Sequence, residues 1–393
     1  MNIQSVKRDI DYQKFYALVE KLRIHDSFKQ KAKKDYFGSA PNVFVGRFGY
    51  PKVDVGILNT ESYDSKQDNP RLWAQNNFEI NDIIKIRATL INSNFRSQVK
   101  GDQKNKFLDV SKEVSMAVKA PDVEVNLKKV PQFNFSLDQE LTPYGPSVKL
   151  DKARLTENPK IPKKVESVVN DDLKSIQQLK ILYNRGFDEN YLTKIMSLGN
   201  LGIETSKRLV PTRWSITATD DSLGKLILEE LRNYSQIDHS IYFGGYLGNY
   251  YMVMMFPDAF RYELFEIDVK TGKVWTDYED VFGRKTYASI TAGGYYASRL
   301  PILEKLKSLK KQGSILVLRF VTEDYYIGLG VWVVREATRN SMNTQALKFA
   351  SKGEMINYAR SFAKRQFGLD IDFILERSSL LEQLGKQKKL FDF

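Results

Sequence analysis

The apolar residues of this chain change their spacing irregularly along its length, and that irregularity constrains the fold more than any other feature. Between Asp9 and Leu22, Phe15, Leu18, Val19 and Leu22 fall on one face of a helix. Val123, Val125 and Leu127 instead alternate with Asp122, Glu124 and Asn126, the period of a half-buried strand. Val53 to Ile57, Trp214 to Ala218, Tyr250 to Phe256, Tyr262 to Val269, Ile315 to Val321 and Gly330 to Val334 read as further strands, with Asp268 to Lys273 as a hairpin turn. Helices are expected at Phe78 to Ile91, Lys164 to Leu182, Tyr191 to Leu198, Leu223 to Leu231, Pro301 to Leu309, Glu354 to Phe367 and Phe373 to Leu384, and a short one opened by Pro70 and Trp73. No regular βαβ repeat orders these elements. The expected class is α+β, mixed sheets with flanking helices in two tightly associated domains.

A chain of 393 residues exceeds one ordinary core. The expected division is an N-terminal domain over residues 1–130, a connecting segment with helices over 131–206, a C-terminal α+β domain over 207–384 and a tail over 385–393. Glycines and prolines break Phe37 to Pro51 into short strand pieces. Pro131 to Pro162 holds five prolines and little periodicity, which reads as a long connection lying over the first domain, where Phe133, Phe135 and Tyr144 can pack.

Sixty Lys plus Arg against 48 Asp plus Glu give a formal charge of +12, which favours a polyanionic partner, with nucleic acid first. Lysines cluster at Lys29, Lys31, Lys33 and Lys34 and again at Lys305, Lys307, Lys310 and Lys311; taken alone, each run is a solvated face. The absence of cysteine excludes disulfides, thiol nucleophiles and thiolate metal sites. His25 and His239 are far apart in sequence and are expected to be solvated or packed. No leader and no membrane-length apolar run is visible, so the expected setting is the cytoplasm, at the nucleoid, with no membrane partner.

Four segments combine glycine, arginine, aromatic and hydroxyl residues more densely than packing requires: residues 45–51, 211–221, 291–299 and 330–336. Glycine lets a backbone approach phosphate, arginine grips it with a planar fork, and an aromatic ring offers a face for a base. The candidate ligand contacts are Arg47, Tyr50, Arg213, Ser215, Thr217, Tyr295, Arg299 and Arg335. On a strand over Trp214 to Ala218, Arg213, Ser215 and Thr217 would share one face. The bland reading is that these arginines and tyrosines line interfaces and the glycines permit turns.

Pro257-Asp258 followed by Asp268-Val-Lys270 matches a loose metal-nuclease pattern, in which two carboxylates hold Mg²⁺ and a lysine orients water. Asp268 and Lys270 equally suit the mouth of a hairpin. A nucleotide-processing site centred on Arg213 and Glu336 is a further enzymatic alternative. Asp220-Asp221 is expected to cap the helix beginning at Leu223. Walker, Rossmann and kinase signatures are absent.

The chain ends in Gln387-Lys-Lys-Leu390-Phe391-Asp-Phe393. A glutamine amide for a pocket rim, with an aliphatic and two aromatic residues for its floor, is what a short peptide needs to plug a sliding clamp. The alternative is a tail folded back on its own domain. Gln387, Leu390, Phe391 and Phe393 are the candidate clamp contacts.

Taken together, residues 44–53, 83–90, 144–146, 198–202, 208–221, 292–299 and 329–336 resemble the Nre family of archaeal DNA repair proteins, from the N-terminal region through the centre to the C-terminal region. The resemblance implies a role in DNA damage repair and, for members with such a tail, docking on the sliding clamp. Members often carry a cysteine-rich, zinc-finger-like N-terminus, which this chain has lost or replaced with its lysine-rich helix. The tail departs from the full archaeal clamp pattern by ending at its first terminal aromatic, and Gln387-x-x-Leu390-Phe391 equally resembles the shorter bacterial clamp peptide. Three readings follow: a clamp-tethered DNA repair factor that binds nucleic acid, a repair enzyme, or a non-enzymatic adaptor.

Overall fold

The computed structural model describes residues 11–61, 64–100, 105–137 and 141–386. The chain forms two compact units, one of Asp11–Leu223 with Ile327–Gly330 and one of Gly224–Tyr326 with the described residues from Val331 onward. Among the described residues no helix is long and apolar enough to cross a membrane.

The first unit is built on five strands. It opens with helices α1 (Tyr12–Lys21) and α2 (Ile24–Lys31), followed by strands β1 (Asp35–Val45) and β2 (Lys52–Thr60), helices α3 (Pro70–Gln75) and α4 (Ile80–Arg87), and strand β3 (Ile91–Gln98). Helix α5 (Lys106–Met116) then leads to strands β4 (Asp122–Leu127) and β5 (Ser147–Leu155), and α6 (Lys163–Val169), α7 (Ser175–Asn184), α8 (Glu189–Ser197) and α9 (Thr212–Leu231) complete the series, the last crossing into the second unit. The strands close into a barrel in the order β1-β2-β3-β5-β4. β3 and β5 pair parallel, every other pair is antiparallel, and β4 returns to β1 to seal the ring. A closed five-stranded order with one parallel pair and a helix between β3 and β4 is the connectivity of an OB barrel.

Alternation fills the barrel. Val43, Val45, Val53, Val55, Ile57, Phe95, Val123, Val125, Leu127, Val148 and Leu150 point inward and are buried together, with Leu108 and Val114 of α5 packed against them. Two of these strands have no counterpart among the strands expected from the sequence. β3 begins at Ile91, the last residue of the helix expected from Phe78, because Asn92, Ser93, Asn94 and Ser97 are buried polar residues that hide its period. β5 lies within the proline-rich stretch read as a connection, and the barrel unit extends to Leu223, past the boundary expected at Lys207. The aromatic residues of that stretch do pack on the same unit: Phe133 meets His25 and Phe28, Phe135 meets Phe15, and Tyr144 meets Phe44.

The second unit is a mixed sheet between helices. β6 (Ser235–Gln236) precedes β7 (Ser240–Tyr246), β8 (Asn249–Phe256), β9 (Tyr262–Asp268) and β10 (Val274–Glu279); α10 (Ala292–Leu309), β11 (Lys311–Gln312), β12 (Ser314–Val321), α11 (Trp332–Met342), β13 (Leu347–Lys348), α12 (Lys352–Phe367), α13 (Asp372–Glu376) and α14 (Ser379–Lys386) follow. The main sheet runs β10-β9-β12-β8-β7-β13, with β9 and β12 parallel, while β6 and β11 pair separately. Met252, Met254, Phe256, Phe265, Ile267, Leu316, Leu318 and Phe320 form one face, packed on α12 to α14 through Met355, Ala359, Ala363, Ile374 and Leu380. α10 and α11 cover the opposite face, where Ser298 on α10 meets the Tyr262 hydroxyl at 2.6 Å and Ser341 on α11 donates to the Tyr251 carbonyl at 3.0 Å. The hairpin expected at Asp268 joins β9 to β10, closed by Gly272 N–H donating to Asp268 O at 2.8 Å. An α+β class in two units is the observed architecture.

Two segments expected as strands are helical. Trp214 to Ala218 forms the first turns of α9, and Trp332 to Val334 opens α11, with Val331 at its N-cap. A five-residue apolar alternation fits either period, and the chain continues as helix in both places.

Candidate nucleic-acid interface

Segments 45–51 and 211–221 come together on the barrel unit. β1 ends at Val45, whose N–H donates to the Thr212 hydroxyl at 2.9 Å, so the start of α9 is tied to the mouth of the barrel. The loop from β1 to β2 is then closed by Gly46 N–H to Asp54 O at 2.7 Å and Lys52 N–H to Gly49 O at 2.9 Å. Gly49 takes φ +79°, and a Cβ there would lie 2.5 Å from the Arg96 guanidinium and 2.9 Å from the Lys52 carbonyl, so glycine is required. This tight turn leaves Arg47, Phe48 and Tyr50 at the surface.

Three aromatic residues stand out into solvent there. Phe48 is 78% exposed, Tyr50 49% and Trp214 47%. The Tyr50 and Trp214 rings touch in a tilted contact, 5.5 Å between centroids and 55° between planes, and the Arg47 guanidinium lies 5.1 Å over the Phe48 ring. Beside them the outer face of the barrel is basic. Lys52 stands opposite Gln98, Asp54 opposite Arg96, and Asn94 opposite Lys149. Asp54 is the acid among them, 2.6 Å from Lys149 and 3.5 Å from Arg96, with all three side chains at least 40% exposed. Exposed pairs of this kind contribute about 0–1 kcal/mol, so a phosphate can compete for both cations. Arg47, Lys52, Arg96 and Lys149 against Asp54 and the outward Asp151 of β5 leave the face electropositive.

Within this segment pair the individual expectations fare differently. Arg47 and Tyr50 are surface residues of the cluster. Arg213 precedes Trp214 on α9 and is half-buried. Ser215 is buried, and Thr217 lies further along the helix; the shared strand face expected for Arg213, Ser215 and Thr217 does not exist because the segment is helical. Asp220 and Asp221 sit inside α9, buried, and not at its cap. Phe48, Lys52, Arg96, Lys149 and Trp214 were not singled out as contacts. Phe48 and Trp214 each lie within one of the four dense segments, whereas Lys52, Arg96 and Lys149 lie outside them.

The loop from β4 to β5 is held to the barrel by Arg87, which is buried. It donates to the Pro143 carbonyl at 2.6 Å, the Gln67 carbonyl at 2.9 Å and the Asp68 carboxylate at 2.9 Å. At the end of β1 and β2 away from the aromatic loop, Leu22, Ile24, Phe28, Tyr36, Thr60 and Ile91 help to line a cavity of about 440 Å³.

Segments 291–299 and 331–336 belong to the sheet unit and are built differently. Tyr295, Arg299 and Arg335 are fully buried. The Tyr295 hydroxyl donates to Glu279 at 2.9 Å, the Arg299 guanidinium pairs with the same carboxylate, and Arg299 lies over the Tyr296 ring at 5.2 Å. Burial pushes the Tyr295 phenol well above its usual range, so it stays a neutral donor. Asp277 accepts from the backbone of Ile290 and Thr291 and from the Thr291 hydroxyl, at 2.7 to 3.0 Å. Gly294 makes room for Glu266, since a Cβ would stand 2.6 Å from its carboxylate oxygen. Glu336 pairs with Arg339 one turn on at 2.6 Å. The Tyr295, Arg299 and Thr291 bonds fasten α10 and the residue before it to the edge strand β10, through Glu279 and Asp277.

The nuclease pattern is not assembled. Asp258 and Asp268 flank opposite ends of β9, whose seven residues extend about 20 Å. Asp258 pairs with Arg261 at 2.5 Å, Asp268 accepts the backbone N–H groups of Lys270 and Thr271 at 3.0 Å in the hairpin, and the Lys270 ammonium pairs with Glu323. Among the described residues no group of three or more His, Asp or Glu side chains is placed to hold a metal ion. The clamp candidates Gln387, Leu390, Phe391 and Phe393 lie outside the described residues.

Family models described as archaeal Nre, N-terminal, and archaeal Nre, C-terminal, match residues 12–276 and 279–393. The chain is a member of the archaeal Nre family. It is 37% identical over 331 residues to DNA repair protein NreA of Archaeoglobus fulgidus, covering 82% of this chain and 83% of that protein. DNA repair protein NreA of Haloferax volcanii is 32% identical over 410 residues, covering 98% of this chain and 96% of its own, and DNA repair protein NreB of Archaeoglobus fulgidus is 33% identical over 374 residues, covering 92% of each. No solved structure matches this Nre chain. The boundary between the two family models falls within β10, inside the sheet unit, so the N-terminal model takes in the five barrel strands and about half of the main sheet.

Proposed function

We propose that this Nre chain is a DNA repair factor that binds nucleic acid through the mouth of its barrel and docks on the replicative sliding clamp through Gln387 to Phe393. The observation that carries the first part is the exposed cluster of Arg47, Phe48, Tyr50 and Trp214 beside Lys52, Arg96 and Lys149. Rings that expose about half or more of their surface at one loop mouth suit a partner with flat faces, and the adjoining cations suit one with negative charge. Nucleic acid has both. The relatives' names, DNA repair proteins, support the same partner.

The second part rests on the tail's residue types and on the basic surplus that keeps the body near DNA. A short link from α14 to a clamp-bound peptide would hold the barrel near the duplex at roughly millimolar effective concentration. Removing residues 387–393 is expected to abolish capture of the chain by immobilised clamp, with unchanged thermal unfolding. Full clamp capture by the truncated chain would reject the tether, and testing archaeal and bacterial clamps side by side identifies the cognate ring.

A further inference from the structure

We propose that the barrel mouth takes single-stranded DNA, laid across the outer face of β2, β3 and β5 with its bases stacked on Phe48, Tyr50 and Trp214. This rests on the nucleic-acid reading above and narrows it. Three features of the barrel unit point to a single strand. The connectivity is that of an OB barrel, whose second and third strands and first loop form the usual contact face for oligonucleotides. The exposed rings sit on that loop and on the helix start tied to it, with Tyr50 and Trp214 already 5.5 Å apart. A base presents its face to such rings only when it has left a duplex stack. The cations Lys52, Arg96 and Lys149 occupy neighbouring strands, about 4.8 Å apart, and so offer a phosphate track crossing the sheet beside the rings.

Asp54 gives this proposal a sharp handle. Its carboxylate holds Arg96 and Lys149 in place, but it is also the negative charge that a phosphate must displace. Asp54→Asn is therefore expected to tighten single-strand binding several-fold, whereas a purely structural ion pair would leave binding unchanged or weaken it.

The test uses the purified full-length chain with a fluorescent twenty-nucleotide oligo-dT, the matched duplex and an oligo-U of the same length, read by anisotropy. Wild type is expected to bind oligo-dT at least tenfold more tightly than the duplex. Each of Phe48→Ala and Trp214→Ala should weaken oligo-dT binding by about 5- to 100-fold with unchanged thermal unfolding. Phe48→Trp should retain binding, and Phe282→Ala, at a ring of the sheet unit that is 91% exposed, should have no effect. Equal affinity for duplex and single strand, or unaltered oligo-dT binding by the Phe48→Ala/Trp214→Ala double variant, would overturn the single-strand inference while leaving nucleic-acid binding standing. Tighter binding to oligo-U would reassign the ligand to RNA and overturn the DNA assignment. No binding to any of the three would defeat both the inference and the reading beneath it.

Discussion

The two units use the same residue types for opposite purposes. In the sheet unit, Tyr295 and Arg299 are buried against Glu279, and Arg319 against Glu266, so each arginine is neutralised inside the fold. In the barrel unit, Arg47, Tyr50, Phe48 and Trp214 lie at the surface, and the nearby carboxylate of Asp54 is itself exposed. Glycine, arginine and an aromatic ring thus describe a structural rivet when a buried carboxylate is within reach. They describe an open contact surface when a tight turn pushes them into solvent. The deciding residue is the acid, which neither glycine-rich segment contains.

Breaking the rivet should have the largest effect. Removing one partner of the buried Glu279–Arg299 pair, as in Glu279→Ala, leaves an uncompensated buried charge and is expected to cost about 3–5 kcal/mol in denaturant unfolding. At the exposed surface, Phe48→Ala should change stability by no more than about 0.5 kcal/mol. Equal losses at the two sites would erase the contrast between the units.

The turn that exposes the rings can be strained directly. Gly49→Ala places a Cβ at φ +79° against the Lys52 carbonyl and is expected to cost about 1–2 kcal/mol in the same unfolding measurement. It should also weaken nucleic-acid binding, because Phe48 and Tyr50 flank the altered residue. A variant with full stability and full binding would show that the loop geometry is not needed.

The smallest effect concerns Glu263, which projects from β9 to the side of the sheet covered by α12 to α14. Its carboxylate accepts from the Ser378 hydroxyl at 2.5 Å and from the backbone N–H groups of Ser379 and Leu380 at 3.0 Å, so it caps α14. Burial pushes its pKa up, against the downward pull of these three donors. A carboxyl whose pKa is raised on folding contributes stability below its unfolded value, near 4.5, and loses it as pH rises through the folded value. The stability of wild type minus that of Glu263→Gln is therefore expected to fall between pH 4 and pH 7 in urea titrations. A difference that rises over this window would mean that the three donors outweigh burial.

What was legible beforehand follows the same division. The helical spacing of Phe15, Leu18 and Val19 and the alternation of Val123, Val125 and Leu127 each describe one buried face, and both elements appear where that spacing places them. β3 was hidden because buried Asn92, Ser93 and Asn94 carry hydrogen bonds in place of apolar bulk: Ser93 bonds Asn59, and Asn92 and Asn94 bond Ser147. β5 was hidden because its outward residues, Lys149, Asp151, Lys152 and Arg154, resemble a solvated connection. Closure of the barrel depends on those two strands, so the connectivity that suggests an oligonucleotide site was invisible. Arg47 and Tyr50 are legible nonetheless, since they stand in a glycine-rich turn. Lys52, Arg96 and Lys149 join them only through pairing across strands far apart in sequence.

Photo-crosslinking tests the contrast most directly. A single-stranded oligonucleotide carrying 5-iodouracil, irradiated with the full-length chain and mapped by mass spectrometry, is expected to mark peptides containing Phe48, Tyr50 or Trp214. The sheet unit offers a natural competitor in the loop that carries exposed Phe282 and Tyr287 beside Arg284 and Lys285. Crosslinks confined to that loop, with none at the barrel mouth, would contradict the assignment of nucleic-acid binding to the barrel.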